Sequence, residues 1–193
     1  MAFSLAQTAH HELVIKKSRF IACVEPVAGR EEAQARVAQL KAEHPDAAHV
    51  CWALLAGGQS AANDDGEPGG TAGRPMLEVL RHQDLEGVLA TVVRYFGGTL
   101  LGVPGLINAY KTVTSLALQT TPIIQKQIEV NYQLHFDYTR MNDVMMIVKQ
   151  YNCTVVKQET NLFCDVEISI PRNRLEEVLF KLGEMHTVEV RKL

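Results

Sequence analysis

The densest run of chemistry-bearing residues is Asn63-Asp64-Asp65-Gly66-Glu67-Pro68-Gly69-Gly70-Thr71-Ala72-Gly73-Arg74-Pro75, with three carboxylates, four glycines and one arginine. Oxygen ligands at Asp64, Asp65 and Glu67 suit a hard divalent cation such as Mg²⁺. The glycines, Gly66, Gly70 and Gly73 among them, together with Thr71, would let backbone N–H groups approach an anion at the start of the helix that Pro75 announces, with Arg74 beside it. A solvated turn with Asx capping accounts for the same residues without any ligand.

A second cluster, Arg94-Tyr95-Phe96-Gly97-Gly98-Thr99-Leu100-Leu101-Gly102-Val103-Pro104-Gly105, joins an apolar run to a helical one. It lacks the Gly-Lys-Ser/Thr ending of a phosphate-binding P-loop and the GxGxxG spacing of a dinucleotide fold, so neither nucleotide motif is present. What remains is a generic anion site, with amides of a helix start near Arg94 and the flexible pair Gly97 and Gly98. Tight turning and close strand–helix contact explain the glycines equally well. Lys16-Lys17-Ser18-Arg19 is a short basic run that is either a solvated edge or, joined with Arg74 and Arg94, one wall of a positive groove. His44, His49 and Cys51 lack the spacing of a tetrahedral zinc site, and His10-His11 falls in a terminus expected to be mobile. No Ser or Cys stands in a nucleophile motif, and Trp52, Tyr95 and Phe96 lie in apolar runs expected to be core.

The elements that carry these residues follow from hydrophobic period. Ser18–Val24, His49–Leu55 and Val88–Phe96 read as strands, and 31–43, 75–81 and 105–119 as helices, with 57–73 as one long loop. From residue 128 onward a cleaner pattern appears: strand 128–136, a helix capped by Thr139, strands 153–158 and 162–170, a helix opened by Pro171 and stopped by Gly183, and strand 188–190. That βαββαβ order is the split-βαβ, ferredoxin-like arrangement. Eleven of the thirteen glycines fall between Gly57 and Gly105, which separates an N-terminal domain, 1–121, from a C-terminal domain, 122–193. The fold class is therefore α+β with two domains.

Composition narrows the function. With 47% hydrophobic and 21% charged residues in 193, the chain is globular. No apolar run nears the ~20 residues of a membrane span, and the N-terminus lacks a secretory signal, so a cytoplasmic protein without membrane partners is expected. Cys23, Cys51, Cys153 and Cys164 show no CxxC spacing and are expected as free thiols. With 19 basic and 22 acidic residues, contact with nucleic acid must come from a local patch.

Taken together, the two clusters closely resemble the signature of the IMPACT family, and of its bacterial YigZ-like branch in particular. The residues that carry the likeness are Asp64-Asp65-Gly66-Glu67-Pro68, Gly70-Thr71-Ala72-Gly73-Arg74-Pro75, Val93-Arg94-Tyr95-Phe96-Gly97-Gly98 and Gly105-Leu106-Ile107-Asn108-Ala109-Tyr110, with Lys17-Ser18-Arg19-Phe20-Ile21 upstream. The likeness covers about residues 13–119. It implies an N-terminal α+β domain similar to domain IV of elongation factor G, a C-terminal domain similar to its domain V, and a general association with translation. Leu100 stands where many relatives carry lysine, Pro104 where they carry glycine, and Asn63 where serine is common.

The expected function is that of a non-catalytic cytoplasmic protein in translation regulation. It would bind RNA or a ribosome-associated partner through the glycine-rich N-terminal face, as a monomer or weak homo-oligomer without a cofactor. Lys17, Ser18, Arg19, Arg74, Arg94, Tyr95, Gly97 and Gly98 would line that face with the Asp64–Gly73 loop. The rival is an Mg²⁺-dependent enzyme on a phosphate-bearing small molecule, with Asp64, Asp65 and Glu67 as ligands. A protein–protein adaptor using the same loop is the third alternative.

Overall fold

The computed structural model describes residues 2–193, which form two compact units, 2–126 and 127–193. In the first, strands β1 (Ala2–Leu5), β2 (Ala9–Ile15) and β3 (Ser18–Pro26) precede helix α1 (Arg30–Glu43). Strands β4 (His49–Ala56) and β5 (Gln59–Asn63), helix α2 (Gly73–His82), strand β6 (Val88–Tyr95), helix α3 (Gly102–Gln119) and strand β7 (Ile123–Lys126) follow. Five strands form one antiparallel sheet in the order β2-β3-β6-β4-β5, while β1 and β7 pair separately.

Both sheet faces are covered, and strand alternation decides which side chain goes where. Val50 and Leu54 of β4 with Leu89 and Val93 of β6 meet Ala33, Val37 and Leu40 of α1. Their neighbours Cys51, Ala53, Val88, Ala90 and Val92 belong to a separate core under α2 and α3. That is why β6 reads as a continuous apolar run instead of an alternating one.

Three expectations change here. His10 and His11 are not in a mobile terminus: they lie in β2, opposite Cys23 and Ala22. The loop expected over 57–73 contains β5, which folds back on β4 through Gly57 and Gly58, both at positive φ. A Gly-Gly pair between two strand segments is a hairpin turn, the signal that marks β5 in the sequence. The unit boundary lies past Lys126 because β7, beyond Pro122, pairs with β1.

The second unit holds β8 (Glu129–Asp137), α4 (Met141–Gln150), β9 (Thr154–Thr160), β10 (Phe163–Pro171), α5 (Leu175–Gly183) and β11 (Glu189–Lys192), with strand order β11-β8-β10-β9. It has the βαββαβ order. Leu134, Phe136, Val166 and Ile168 face Val144, Val178 and Leu182 across the core. Asp137, not Thr139, caps the turn that enters α4, its carboxylate accepting from the Thr139 N–H at 2.9 Å. Among the described residues no helix is long and apolar enough to cross a membrane.

At one end of the five-stranded sheet, the β2–β3 turn lies against the β6–α3 loop. A Cβ on Gly97 would overlap the Lys17 carbonyl and the Ser18 nitrogen, so that glycine is required by close backbone approach. The Gly97 N–H donates to Ser18 Oγ at 3.1 Å and locks the two segments. Gly97→Ala is therefore expected to destabilise the N-terminal unit by about 2 kcal/mol or more, whereas Gly69→Ala, with open space around its Cβ position, is expected to be near neutral. Denaturant unfolding followed by fluorescence of Trp52, the sole tryptophan, measures both.

Candidate functional site

On the α3-facing side, register places Phe20 and His49 on either side of Arg94. The Arg94 side chain is thus delivered into the core, where the residue is only 4% exposed. A buried guanidinium needs a counter-charge, and the loop after β5 supplies it. Arg94 Nη1 donates to Glu67 Oε1 at 2.5 Å, and Glu67 is itself 7% exposed. Arg94 Nη2 donates to Ser18 Oγ at 3.3 Å, and the guanidinium lies over the Phe20 and Phe96 rings. Arg94 Nε is buried without a hydrogen-bond partner.

From α3, Tyr110 donates its hydroxyl to the same Glu67 Oε1 at 2.8 Å and meets Phe20 edge-on. Cys51 of β4 donates its thiol to the Asp64 carbonyl at 3.1 Å and lies 3.4 Å from the Tyr110 hydroxyl. Burial pushes the Cys51 thiol up to about 12 and raises the Tyr110 phenol far above its ordinary range. Neither group is ionised near neutral pH, so neither serves as an anionic nucleophile there. His49 donates from Nδ1 to the Asp65 carbonyl at 2.8 Å and holds Nε2 at 3.7 Å from Glu67 Oε1. Three members of this network, His49, Cys51 and Tyr110, escaped the sequence-based site. Their signal was parity: 49 and 51 share strand phase with the α3-facing residues 53 and 55.

The carboxylates of the acidic loop meet donors of the chain itself. Asp64 Oδ1 accepts from the Ala72 and Gly73 N–H groups at 3.1 and 2.8 Å, and Oδ2 from Gly70 at 2.9 Å. The anion at the start of α2 is therefore the chain's own carboxylate. Asp65, at positive φ, accepts from Val50 N–H and from Lys41 Nζ, both at 2.8 Å. Burial alone would raise the Asp65 pKa, but Lys41 and the Val50 amide outweigh it and hold it below its ordinary value. Gly66 turns the chain at positive φ, and Thr71 Oγ1 donates to the Pro68 carbonyl. Asp64 and Asp65 thus meet different donors through both oxygens and Glu67 meets its own through Oε1 alone, and no metal-holding group of three or more His, Cys, Asp or Glu occurs among the described residues.

The four cations expected on one face do not gather either. Arg19 is out of phase with Ser18 and Phe20, so it stands on the α1 side of the sheet, paired with Glu12 at 2.8 Å and lying over Tyr95. Tyr95 is on that side too, bonded to His44 Nδ1 at 2.7 Å. Arg74 on α2 is exposed and lies 3.5 Å from Glu78. Lys17 alone stays near Arg94, in the turn against Gly97.

Above the Arg94–Glu67 pair opens a cavity of about 500 Å³, within the ~300–1,000 Å³ range of small-ligand clefts. Arg94, Glu67 and His49 form its polar part, and Phe96, Leu101 and Leu106 are among its apolar walls. Phe96 and Leu100 are 52% and 81% exposed at the rim, against the expectation of a core Phe96. The start of α3 at Gly102 and Val103 also lines it and carries no side-chain cap.

Removing one partner of the buried pair leaves the other charge stranded. Glu67→Leu or Arg94→Met alone is expected to destabilise by ~3–5 kcal/mol, with the double variant recovering a large part of the loss. Urea titration of all four proteins by Trp52 fluorescence checks this, and additive losses would exclude the coupling.

The chain matches the family model of the Impact N-terminal domain over residues 16–118. It is similar to "IMPACT family member YigZ" of Escherichia coli, with 36% identity over 88% of this chain and 86% of that protein. To "IMPACT family member YvyE" of Bacillus subtilis the identity is 40% over 97% of this chain and 93% of that one. An IMPACT family member of Haemophilus influenzae is 38% identical over 88% and 85%. A crystal structure described as that of a hypothetical protein superposes with a TM-score of 0.74 at 32% identity, covering 100% of this chain and 97% of its own. The residues of the buried network, from Ser18 through Glu67 and Arg94 to Tyr110, all lie within the matched segment, and the chain belongs to the IMPACT family.

Proposed function

We propose that the protein is a non-catalytic, cytoplasmic, translation-associated factor that binds single-stranded RNA at the end of the five-stranded sheet, alone or on a ribosome-associated partner. The observation that carries this is the seating of the Lys16-Lys17 turn against Gly97 through the Lys17 backbone, which sets two exposed lysines in the segment packed beside the exposed Phe96. Lys16 and Lys17, both at positive φ, make no ion pair among the described residues, so their charge is free for phosphate. Exposed aromatic rings beside free cations are the usual equipment for unpaired bases and their backbone. The likeness to domains IV and V of elongation factor G, drawn from the sequence signature, supports the same direction as a fold-level analogy. Modest affinity is expected, because Arg19 and Arg94 are paired with carboxylates.

Asparagine tolerates positive φ, so Lys16→Asn/Lys17→Asn removes the charge without disturbing the turn. For a short single-stranded RNA measured by fluorescence anisotropy between low and moderate salt, the double variant is expected to bind more weakly. Its log–log salt slope should fall by ~1.4, from two lost phosphate contacts. Arg74→Ala, away from this rim, is expected to leave binding unchanged. Equal slopes for wild type and the lysine variant would sink the proposal.

A further inference from the structure

We infer that the cavity above the Arg94–Glu67 pair is a subsite for one unstacked nucleobase and selects bases that carry an exocyclic amino group, which deepens the RNA-binding proposal and rests on it. The inference starts from an acceptor pair with no donor between its members. The Asp65 carbonyl can only accept, so His49 donates to it from Nδ1, and in the one tautomer of the uncharged ring that this bond allows Nε2 presents a lone pair. Nε2 faces the Glu67 carboxylate, also an acceptor, at 3.7 Å. Glu67 Oε1 already accepts from Arg94 and Tyr110, whereas Oε2 accepts from none of the described residues. Two acceptors lining one cavity call for a donor with two hydrogens.

An amino group on a flat ring meets that requirement, one N–H directed to Glu67 Oε2 and the other to His49 Nε2. Adenine, cytosine and guanine carry such a group, and uracil does not. The remaining surroundings suit a ring more than a free anion. The walls are apolar, Phe96 stands exposed at the mouth as a stacking partner, and the Arg94 charge is already neutralised by Glu67. A uracil placed there offers a single N3–H flanked by carbonyl oxygens, so one acceptor at most is satisfied and a carbonyl oxygen is set against the other, which is the source of discrimination.

Cytosine and uracil differ little in size, so hexamers of cytidine and of uridine isolate the amino group, with an adenosine hexamer as a third probe. The wild type is expected to bind the cytidine and adenosine hexamers about tenfold more tightly than the uridine hexamer. His49→Leu removes one acceptor, and Val103→Trp fills the cavity from a half-exposed position. Both are expected to erase the preference while keeping the salt slope set by Lys16 and Lys17. Thermal unfolding of each variant confirms that it is folded. Hexamers bound equally well, with the wild-type salt slope intact, would overturn the base subsite and leave the RNA-binding proposal standing. A preference that survives in both folded variants would place selection elsewhere and overturn it as well. Absence of binding to all three hexamers would overturn both.

Discussion

A charge sealed inside the N-terminal unit organises everything around it. Arg94 lies on a central strand in the phase that faces α3, and a guanidinium there is tolerable only with a carboxylate against it and further acceptors or rings about it. Glu67 meets that need from a loop, Ser18 from a neighbouring strand, and Phe20 and Phe96 from below and beside. Tyr110 then ties α3 to the same oxygen. Four separate stretches of the chain are thus pinned to one ion pair, and the cavity exists because these stretches converge without filling the space above it.

The loop that carries Glu67 is held with equal thoroughness. Asp64 binds three amides at the start of α2, Asp65 binds β4 and α1, and Cys51 donates to the Asp64 carbonyl. Each carboxylate thereby serves as an internal counter-charge or cap. A loop rich in acid and glycine commonly suggests metal or phosphate, but here Asp64 and Asp65 meet donors within the fold through both oxygens and Glu67 through one. What these internal bonds leave open is the edge of the arrangement: the lysine turn, the exposed Phe96 and Leu100, and the second oxygen of Glu67 at the cavity.

The comparisons reach both units. The family model covers 16–118, the span from the lysine turn to the end of α3, and the relatives in Escherichia coli and Bacillus subtilis extend the likeness through the second unit. The second unit is built by different means, as a single helix-covered sheet with one layer of core and no buried ion pair among its described residues. Stability there rests on apolar burial and on the regular alternation of β8 and β10.

Alternation and helical period are properties of neighbouring residues, and they were legible directly: the βαββαβ order, the three helices of the first unit, the free thiols and both glycine clusters can be read from one line of letters. The family, too, was legible, because its motifs are contiguous. Which charge meets which was not. Ser18 and Arg19 are adjacent, yet the two-residue period of a strand sends one to the buried network and the other to the opposite face with Tyr95. Glu67 finds Arg94 across 27 positions, and Ser18 across 76. Pairing β1 with β7 likewise joins segments at opposite ends of the first unit. Composition marks a segment as able to bind a cation or an anion; only the folded sheet, by bringing distant donors and acceptors within about 3 Å, determines whether that capacity is used internally or left open to a ligand.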